Sequence, residues 1–388
     1  MKILMVSIPS LHFFRWTEQL KDAGYDIYWF DITGSEQDAV RINWVHQITR
    51  WKLKWNFPGR YFVKKRFPKF YAFLKLFNEY STAKVFEQKL LEIQPDVVQF
   101  FEMTLSGLPI LKVMEKNRNI KWIYSAWGND LYYFQNDQKM LKEIKEVLFY
   151  VDFMFADCFR DYVLAKKYGF NGELLGIYPT GGGYDFSVYD KYMSPFSSRQ
   201  IILIKGYEHK FGRCNNVLKG IERLKKELVN YQIVVFGANQ KVLDFSNSIG
   251  IDTWENFKIY KQLNHNEILR LMGQSLIYIG NSISDGMPNT LLEAIVMGVF
   301  PIQSNPGGAT AELIQNRKNG MLIEDSENLS EIKKVVVEIF NDFSVIENGI
   351  QYNLQYIKPK LEYHFIKTEV LKKYEDIVSK KILNSNFI

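Results

Sequence analysis

Along this chain, short runs of consecutive apolar residues alternate with stretches whose apolar positions recur every three or four residues. "KILMVSI", "YDIYWFDI", "PDVVQFFEM", "KWIYSAW", "DFMFADC" and "ELLGIYP" read as strands. "FFRWTEQLKDAG", "QKMLKEIKEVLF" and "RDYVLAKKYGF" read as helices between them. Strands that are apolar at successive positions are buried on both faces, so the pattern predicts a parallel sheet covered by helices on each side. The Gly/Pro/Ser-rich stretch "PTGGGYD" and the following "YMSPFSSRQ" interrupt it, and the alternation restarts with "IILIKGY", "YQIVVFGA", "FKIYKQL", "SLIYIGN", "VFPIQS" and "GMLI". Two α/β, doubly wound Rossmann-like domains follow from this, over residues 1–195 and 196–365, with a helical tail over 366–388 that has the first domain as a surface to pack against. Ligands of such sheets bind beyond the carboxyl ends of the strands, so a cleft between two facing domains is the expected site.

Composition narrows the class. The 388 residues are 47% hydrophobic and 24% charged, which suits folded domains with real cores. Cys158 and Cys214 stand far apart, outside any metal or redox spacing, and the five histidines are scattered singly, so no metal site is expected. "MKILMVSIPS" is too short an apolar run for a signal peptide, and no stretch is long enough to span a bilayer. A cytoplasmic setting is the expectation.

The formal charge of +6 is concentrated. Residues 41–77 carry ten Lys/Arg and eleven aromatic residues with no Asp or Glu, so the remainder of the chain is net acidic. Such a basic-aromatic insert suits an anionic membrane surface, with the protein peripheral on the inner face of the cell membrane. The same composition suits nucleic acid, or a first domain whose aromatic residues are simply core.

The chemistry-bearing stretch is "SDGMPNTLLEAIVMG", residues 284–298. Asp285 and Asn289 suit a helix start, Pro288 a first turn and Gly298 the far end. Glu293 is the anomaly, because Leu291, Leu292, Ala294, Ile295, Val296 and Met297 surround it and a buried carboxylate needs partners. Residues 280–323 as a whole closely resemble the nucleotide-sugar site of retaining glycosyltransferases of family four, which have the GT-B fold: an E-x7-E pair, a small-residue turn, a strand and a Gly-Gly turn before "NG". Here the first acid is Asp, one methylene shorter, in Asp285-x7-Glu293. The resemblance implies that Glu293 holds the ribose hydroxyls and Asp285 the donor sugar. The backbone of Gly286, Met287, Pro288, Asn289 and Thr290 would then face the anionic donor.

"LIKGYEHKFGRCNNVLKGIERL" corresponds to the segment that grips the diphosphate in that family. Arg213 stands in the Lys place and Tyr207 where the family has Arg, with Lys205 and Lys210 as substitute cations. In the first domain "SAWGND" resembles the family's H-G-x-D turn, with Trp127 in the His place and Asp130 as its acid, on the donor-sugar or acceptor side. His12, Arg15 and Glu102 follow strands on that side; His12 serves equally as a structural histidine. The triple glycine 181–183 lacks a following Lys-Ser/Thr and reads as the interdomain turn. No D-x-D is present, so a metal-bridged diphosphate has no support in the sequence.

The resemblance implies a metal-independent, retaining hexosyltransferase. It needs no cofactor and uses a nucleoside-diphosphate sugar as co-substrate. Its acceptor would be a glycan or lipid-linked molecule, as in cell-surface polysaccharide or glycolipid synthesis, and nucleic acid is no partner. Asp285, Lys205 and Arg213 would be catalytic. Two other readings stay open: a non-catalytic GT-B subunit that binds a partner enzyme or glycan, and a GT-B nucleotide-sugar enzyme such as an epimerase.

Overall fold

The computed structural model describes residues 1–385. The chain forms two compact units. One comprises 1–156, 162–181 and the chain from 370 onward; the other comprises 157–161 and 182–369. The first holds a seven-stranded sheet: β1 (Lys2–Ser7), β2 (Asp26–Asp31), β3 (His46–Ile48), β4 (Val97–Phe101), β5 (Lys121–Ser125), β6 (Phe153–Ala156) and β7 (Glu173–Ile177). Its order is β3-β2-β1-β4-β5-β6-β7 and every pairing is parallel. The second holds β8 (Ile201–Lys205), β9 (Gln232–Phe236), β10 (Phe257–Ile259), β11 (Ser275–Gly280), β12 (Phe300–Ser304) and β13 (Met321–Ile323), in the order β10-β9-β8-β11-β12-β13, again all parallel. Each is a doubly wound Rossmann-like sheet, and together they are the GT-B pattern.

Period-two geometry explains the continuous apolar strands. Along β8, Ile202 and Ile204 enter the core on one face of the sheet, while Ile201 and Leu203 enter the core on the other. The second face is covered by the Asn289–Val296 helix, six of whose eight residues are buried. In the first unit Leu4, Val6, Phe30, Val98, Phe100, Trp122 and Tyr124 share one core.

Three features depart from the pattern read in the sequence. Residues 182–195, assigned there to the first domain, pack in the second unit. Tyr184 exchanges main-chain hydrogen bonds with Leu361 and Tyr363 (2.8 and 3.1 Å), and Tyr184 and Tyr189 are buried in that unit's core. The short edge strand β3 was unforeseen because His46 and Gln47 give it no apolar run. The basic-aromatic insert folds into two helices, α2 (Arg60–Arg66) and α3 (Pro68–Asn78), after the unit's first helix α1 (Leu11–Glu18). Most of the insert's aromatic residues are exposed, so it is not simply core.

The long helix Tyr363–Ser385 begins in the second unit and belongs to the first from Val370 onward; residues 386–388 of the tail lie outside the described residues. Tyr374 is fully buried there. Its hydroxyl accepts from Trp16 Nε1 (3.1 Å) and donates to Gln99 Oε1 (2.5 Å). Removing that hydroxyl leaves a buried donor and a buried acceptor unmet, each costing about 1–3 kcal/mol. Tyr374→Phe should therefore lower stability by about 2–6 kcal/mol, read as an earlier chemical-denaturation midpoint. An unchanged midpoint would show that the two hydroxyl bonds contribute nothing to the first unit's stability.

Candidate functional site

In the second sheet the strand order reverses between β8 and β11, and the carboxyl ends of these neighbours carry the sequence-marked residues. Lys205 closes β8; Asp285 lies in the turn after β11. Lys205 Nζ stands 4.0 Å from Asp285 Oδ2, and both side chains are partly accessible. The ammonium also lies over the Tyr207 ring, 4.6 Å from its centroid.

The Asp285 turn is fixed from behind by residues the sequence did not mark. The buried Arg160 guanidinium donates to the main-chain oxygens of Asp285 (2.8 Å) and Pro306 (2.6 Å) and grips Asp161 through Nε and Nη2. Asp157 Oδ2 accepts the Met287 amide (3.1 Å), and a Cβ on Gly286 would fall 2.2 Å from that same oxygen, so the position excludes a side chain. Burial, then Asp161, holds the Asp157 carboxyl well above the usual range. The ligand atoms of Asp157, Cys158 and Asp161 lie within 4.8 Å of one another. Arg160 already supplies the positive charge there, however, and burial pushes the Cys158 thiol up, against a thiolate ligand.

These contacts revise one expectation. The Gly286 amide bonds Asp285 Oδ1 (3.0 Å) and the Met287 amide bonds Asp157, while Pro288 has no N–H, so the start of this turn does not offer the donor a row of amides. Asn289 opens the helix and its Oδ1 accepts from Tyr184 (3.1 Å); Thr290 Oγ1 pairs with Tyr278 (2.8 Å).

Glu293 is 5% exposed. Its Oε1 meets His265 Nε2 at 2.8 Å and the Tyr189 hydroxyl at 3.3 Å. A ligand is therefore not needed to explain the burial of this carboxylate. The protein itself orients it, through two residues 28 and 104 positions away. No sequence signal marked either: His265 is one of the scattered histidines, and Tyr189 lies between the two stretches that interrupt the strand-helix pattern.

The 207–213 loop is pinned on 281–283, with Arg213 N donating to Asn281 O (2.9 Å) and Ile283 N to Phe211 O (2.9 Å). Arg213 does not stand as a waiting phosphate fork. Its guanidinium pairs with Glu327 (3.0 Å) and donates to the carbonyls of His209, Lys210 and Gly212. Glu208 accepts the Asn215 amide (2.9 Å) in the first turn of the Cys214–Ile221 helix, occupying an anion position there. His209 Nδ1 accepts from Phe211 N (3.1 Å), and burial, helped by Lys205, lowers its pKa. Lys210 is exposed, its ammonium 5.3 Å from the Phe211 ring centroid.

In the first unit, Trp127 and His12 come together with ring centroids 6.1 Å apart, both half-buried. Trp127 also lines a cavity of about 10 Å³ with Trp16, Phe101, Phe155 and Tyr178, room for no more than a water. Asp130 does not face a ligand. It is fully buried and accepts from Met103 N (2.8 Å), Tyr124 Oη (2.7 Å) and Trp127 N (3.2 Å), tying together the ends of β4 and β5. Glu102 follows β4 at φ 69°, a left-handed conformation rare outside glycine, and its carboxylate accepts from Thr104 Oγ1 (2.6 Å) and Leu105 N.

The second unit matches the family model "Glycosyl transferases group 1" over residues 197–352, and the first matches "Glycosyl transferase 4-like" over residues 2–159. This chain is a GT-B glycosyltransferase of the family-four type. Among solved structures, the glycosyltransferase is similar to a sucrose-phosphate synthase from Thermosynechococcus elongatus (TM-score 0.71, 12% identity, 98% of this chain and 99% of that one). It is likewise similar to Anabaena HepE, in a structure with UDP and glucose (TM-score 0.67, 11% identity, 97% and 99%), and to a glycosyltransferase from Rickettsia africae (TM-score 0.65, 16% identity, 97% and 98%). Comparison with curated proteins finds no match.

Burial, then the nearby Asp130, pushes Glu102 of this glycosyltransferase from 4.5 up to about 7. The folded chain thus keeps a proton that the unfolded chain releases, and stability falls as pH rises through that window. Glu102→Gln abolishes this pH dependence. The stability of the variant relative to the parent should grow between pH 4.5 and about 7 and then level off, as thermal unfolding at a series of pH values would read. A gap that is flat with pH would place Glu102 in solvent.

Proposed function

We propose that this glycosyltransferase transfers a sugar from a nucleoside-diphosphate donor with retention of anomeric configuration, without a metal. The acceptor is a glycan or lipid-linked molecule presented at the inner face of the cell membrane, in cell-surface polysaccharide or glycolipid synthesis. The observation that carries this reading is the juxtaposition at the switch point of the second sheet. A lysine and a carboxylate stand 4.0 Å apart at the ends of β8 and β11, and a second, oriented carboxylate follows eight residues on. HepE, of similar fold, is described with UDP and with UDP-glucose.

On this reading Glu293 accepts the two ribose hydroxyls side by side, held in place by Tyr189 and His265. Asp285 binds hydroxyls of the donor sugar. Lys205 sits where negative charge grows as the carbon–oxygen bond to the diphosphate breaks, so its stabilisation is greatest in the transition state. The acceptor hydroxyl attacks from the face the diphosphate leaves and passes its proton to the departing phosphate. No side-chain base is then required. Arg213 serves by fixing the 207–213 loop, whose carbonyls it bonds, rather than by touching phosphate.

A thermal-shift screen against UDP-, GDP-, TDP- and ADP-sugars tests the donor class. One family of nucleotides should raise the melting temperature, and Glu293→Gln should abolish that rise while leaving the protein folded. A variant that binds the donor as tightly as the parent would remove Glu293 from the ribose.

Once a donor is known, Lys205→Ala should lower kcat at least tenfold. Lys210→Ala should change it little, and Arg213→Ala should act through stability and KM together. Equal effects from all three would misplace the phosphate. Activity should also survive excess chelator; a complete loss restored by Mg²⁺ would overturn the metal-free mechanism.

A further inference from the structure

The helices α2 and α3 form a hairpin that is both firmly attached and conspicuously apolar on its outer side. Attachment is specific. Asn78 is buried; its Oδ1 accepts from Trp55 N and its Nδ2 donates to Trp55 O (2.9 Å each), while Lys54 N donates to Asn78 O (2.8 Å). Tyr71 is buried and accepts from Arg60 (3.1 Å), which also pairs with Glu36. Along α3, Tyr71, Leu74 and Asn78 recur at helical spacing and form the face directed at the body of the unit. That fixes which residues face away. Phe70, Phe73, Leu76 and Phe77 make up an outer stripe, every one more than half exposed, and Leu76 is 75% exposed. Phe73 and Phe77 pack edge to face (centroids 5.3 Å apart), as do Phe62 and Phe67 (6.4 Å). Tyr61 and Phe62 extend the patch onto α2.

A contiguous apolar patch of this kind on a folded domain marks a surface that something covers. The charges around it identify the occupant. Lys64, Lys65, Arg66 and Lys69 are exposed and make no ion pair among the described residues, and the hairpin holds no acidic residue. A second copy docked face to face would set these like charges against one another. Nucleic acid would use the cations but leave the phenylalanine and leucine stripe without a hydrocarbon partner. An anionic bilayer satisfies both: the apolar side chains enter the acyl boundary and the cations meet headgroup phosphates. We propose that the α2–α3 hairpin, residues 60–78, is a membrane-docking element that inserts Phe70, Phe73, Leu76 and Phe77 into an anionic leaflet. This goes beyond the transfer reaction and stands independently of the donor.

The test uses the full chain with phosphatidylcholine vesicles that contain or lack phosphatidylglycerol. The parent should co-sediment with the anionic vesicles only, and salt should weaken binding because exposed charges are screened within about 10 Å at 0.1 M. The triple variant Lys64→Glu, Lys65→Glu, Arg66→Glu should lower the partition coefficient roughly a hundredfold. Phe73→Ser with Phe77→Ser should lower it at least roughly tenfold, and should still do so in high salt. All five positions are exposed, so thermal unfolding should match the parent. The inference is overturned if the parent ignores anionic vesicles, binds neutral ones equally, or binds as well after the Phe substitutions. It is equally overturned if the parent dimerises through this face by light scattering, or retains an oligonucleotide but not vesicles. Donor binding, read separately by thermal shift, should be unchanged in both variants; its absence in the parent would remove the proposed function and leave the docking element standing.

Discussion

A buried guanidinium organises the second unit's site. Arg160 is largely buried, so its charge is met by Asp161 and by carbonyl oxygens, and the carbonyls it takes are those of Asp285 and Pro306. The first of these lies in the turn after β11 and the second in the turn after β12, so one side chain sets two loops of the same sheet edge. Asp157 completes the clamp through the Met287 amide, and Gly286 leaves the room for it. Removing one member of such a cluster leaves the others buried and uncompensated, at a cost of about 3–5 kcal/mol, more than a surface pair such as Lys205–Asp285 contributes. The Asp285 half of the accessible pair is therefore positioned by the buried cluster, and Lys205 by its place at the end of β8. This division of labour lets Asp285 and Lys205 remain solvated and free to exchange partners while their backbone stays fixed.

The fold was largely legible in the sequence, for a reason specific to parallel sheets. Strands such as "IILIK" and "QIVVF" are buried on both faces, so their apolar residues run without a break and stand out against amphipathic helices. Where that condition fails, legibility fails with it. β3 pairs on one side only and carries His46 and Gln47. The switch of the chain into the second unit at Gly182 falls in the Gly-rich break that composition shows, but the placing of residues 182–195 in that unit rests on the packing of Tyr184 and Tyr189, which composition does not show. The site divides in the same way. Glu293 stood out because an acid inside an apolar run is a local anomaly, while Asp285 and Lys205 were nominated by the family resemblance of their segments. Arg160, Asp157, Tyr189 and His265 reach the Asp285 turn, Pro306 and Glu293 through contacts spanning between 28 and 146 residues, which no window of sequence displays. Arg213 shows a related effect: a planar fork fits phosphate and loop carbonyls equally well, and in the folded chain it meets the carbonyls of His209, Lys210 and Gly212, contacts the sequence does not display.

Carboxylates at strand ends illustrate how far environment, not residue type, assigns the role. Asp130 and Asp285 both follow a parallel strand by a few residues. Asp130 is enclosed, meets two main-chain amides and a tyrosine hydroxyl, and has become part of the scaffold that shapes the Trp127 turn. Asp285 meets its own next amide and a lysine, at the partly open side of the turn. Glu102 is intermediate, buried enough to hold a proton near neutral pH and strained in its backbone, with its two oxygens engaged by the turn that follows. Availability for a ligand thus falls from the partly exposed Asp285, through the half-buried Glu102 with both oxygens engaged, to Asp130, which is fully enclosed and has three protein donors.

The same reasoning separates the two faces of α3. Helical periodicity gives it two apolar stripes, and composition alone cannot say which is core. Asn78 decides it, because an amide that both donates to and accepts from the Trp55 backbone can be satisfied in only one rotational setting of the helix. Tyr71, seven residues earlier and on the same face, is then carried inward, and Phe70, Phe73 and Phe77 are carried out. Rotating the helix to bury the phenylalanines would break three backbone contacts at Asn78 and expose the Tyr71 hydroxyl's partner Arg60. The apolar outer face is therefore imposed by a polar anchor, which is why it persists on the surface of a domain that could otherwise have buried it.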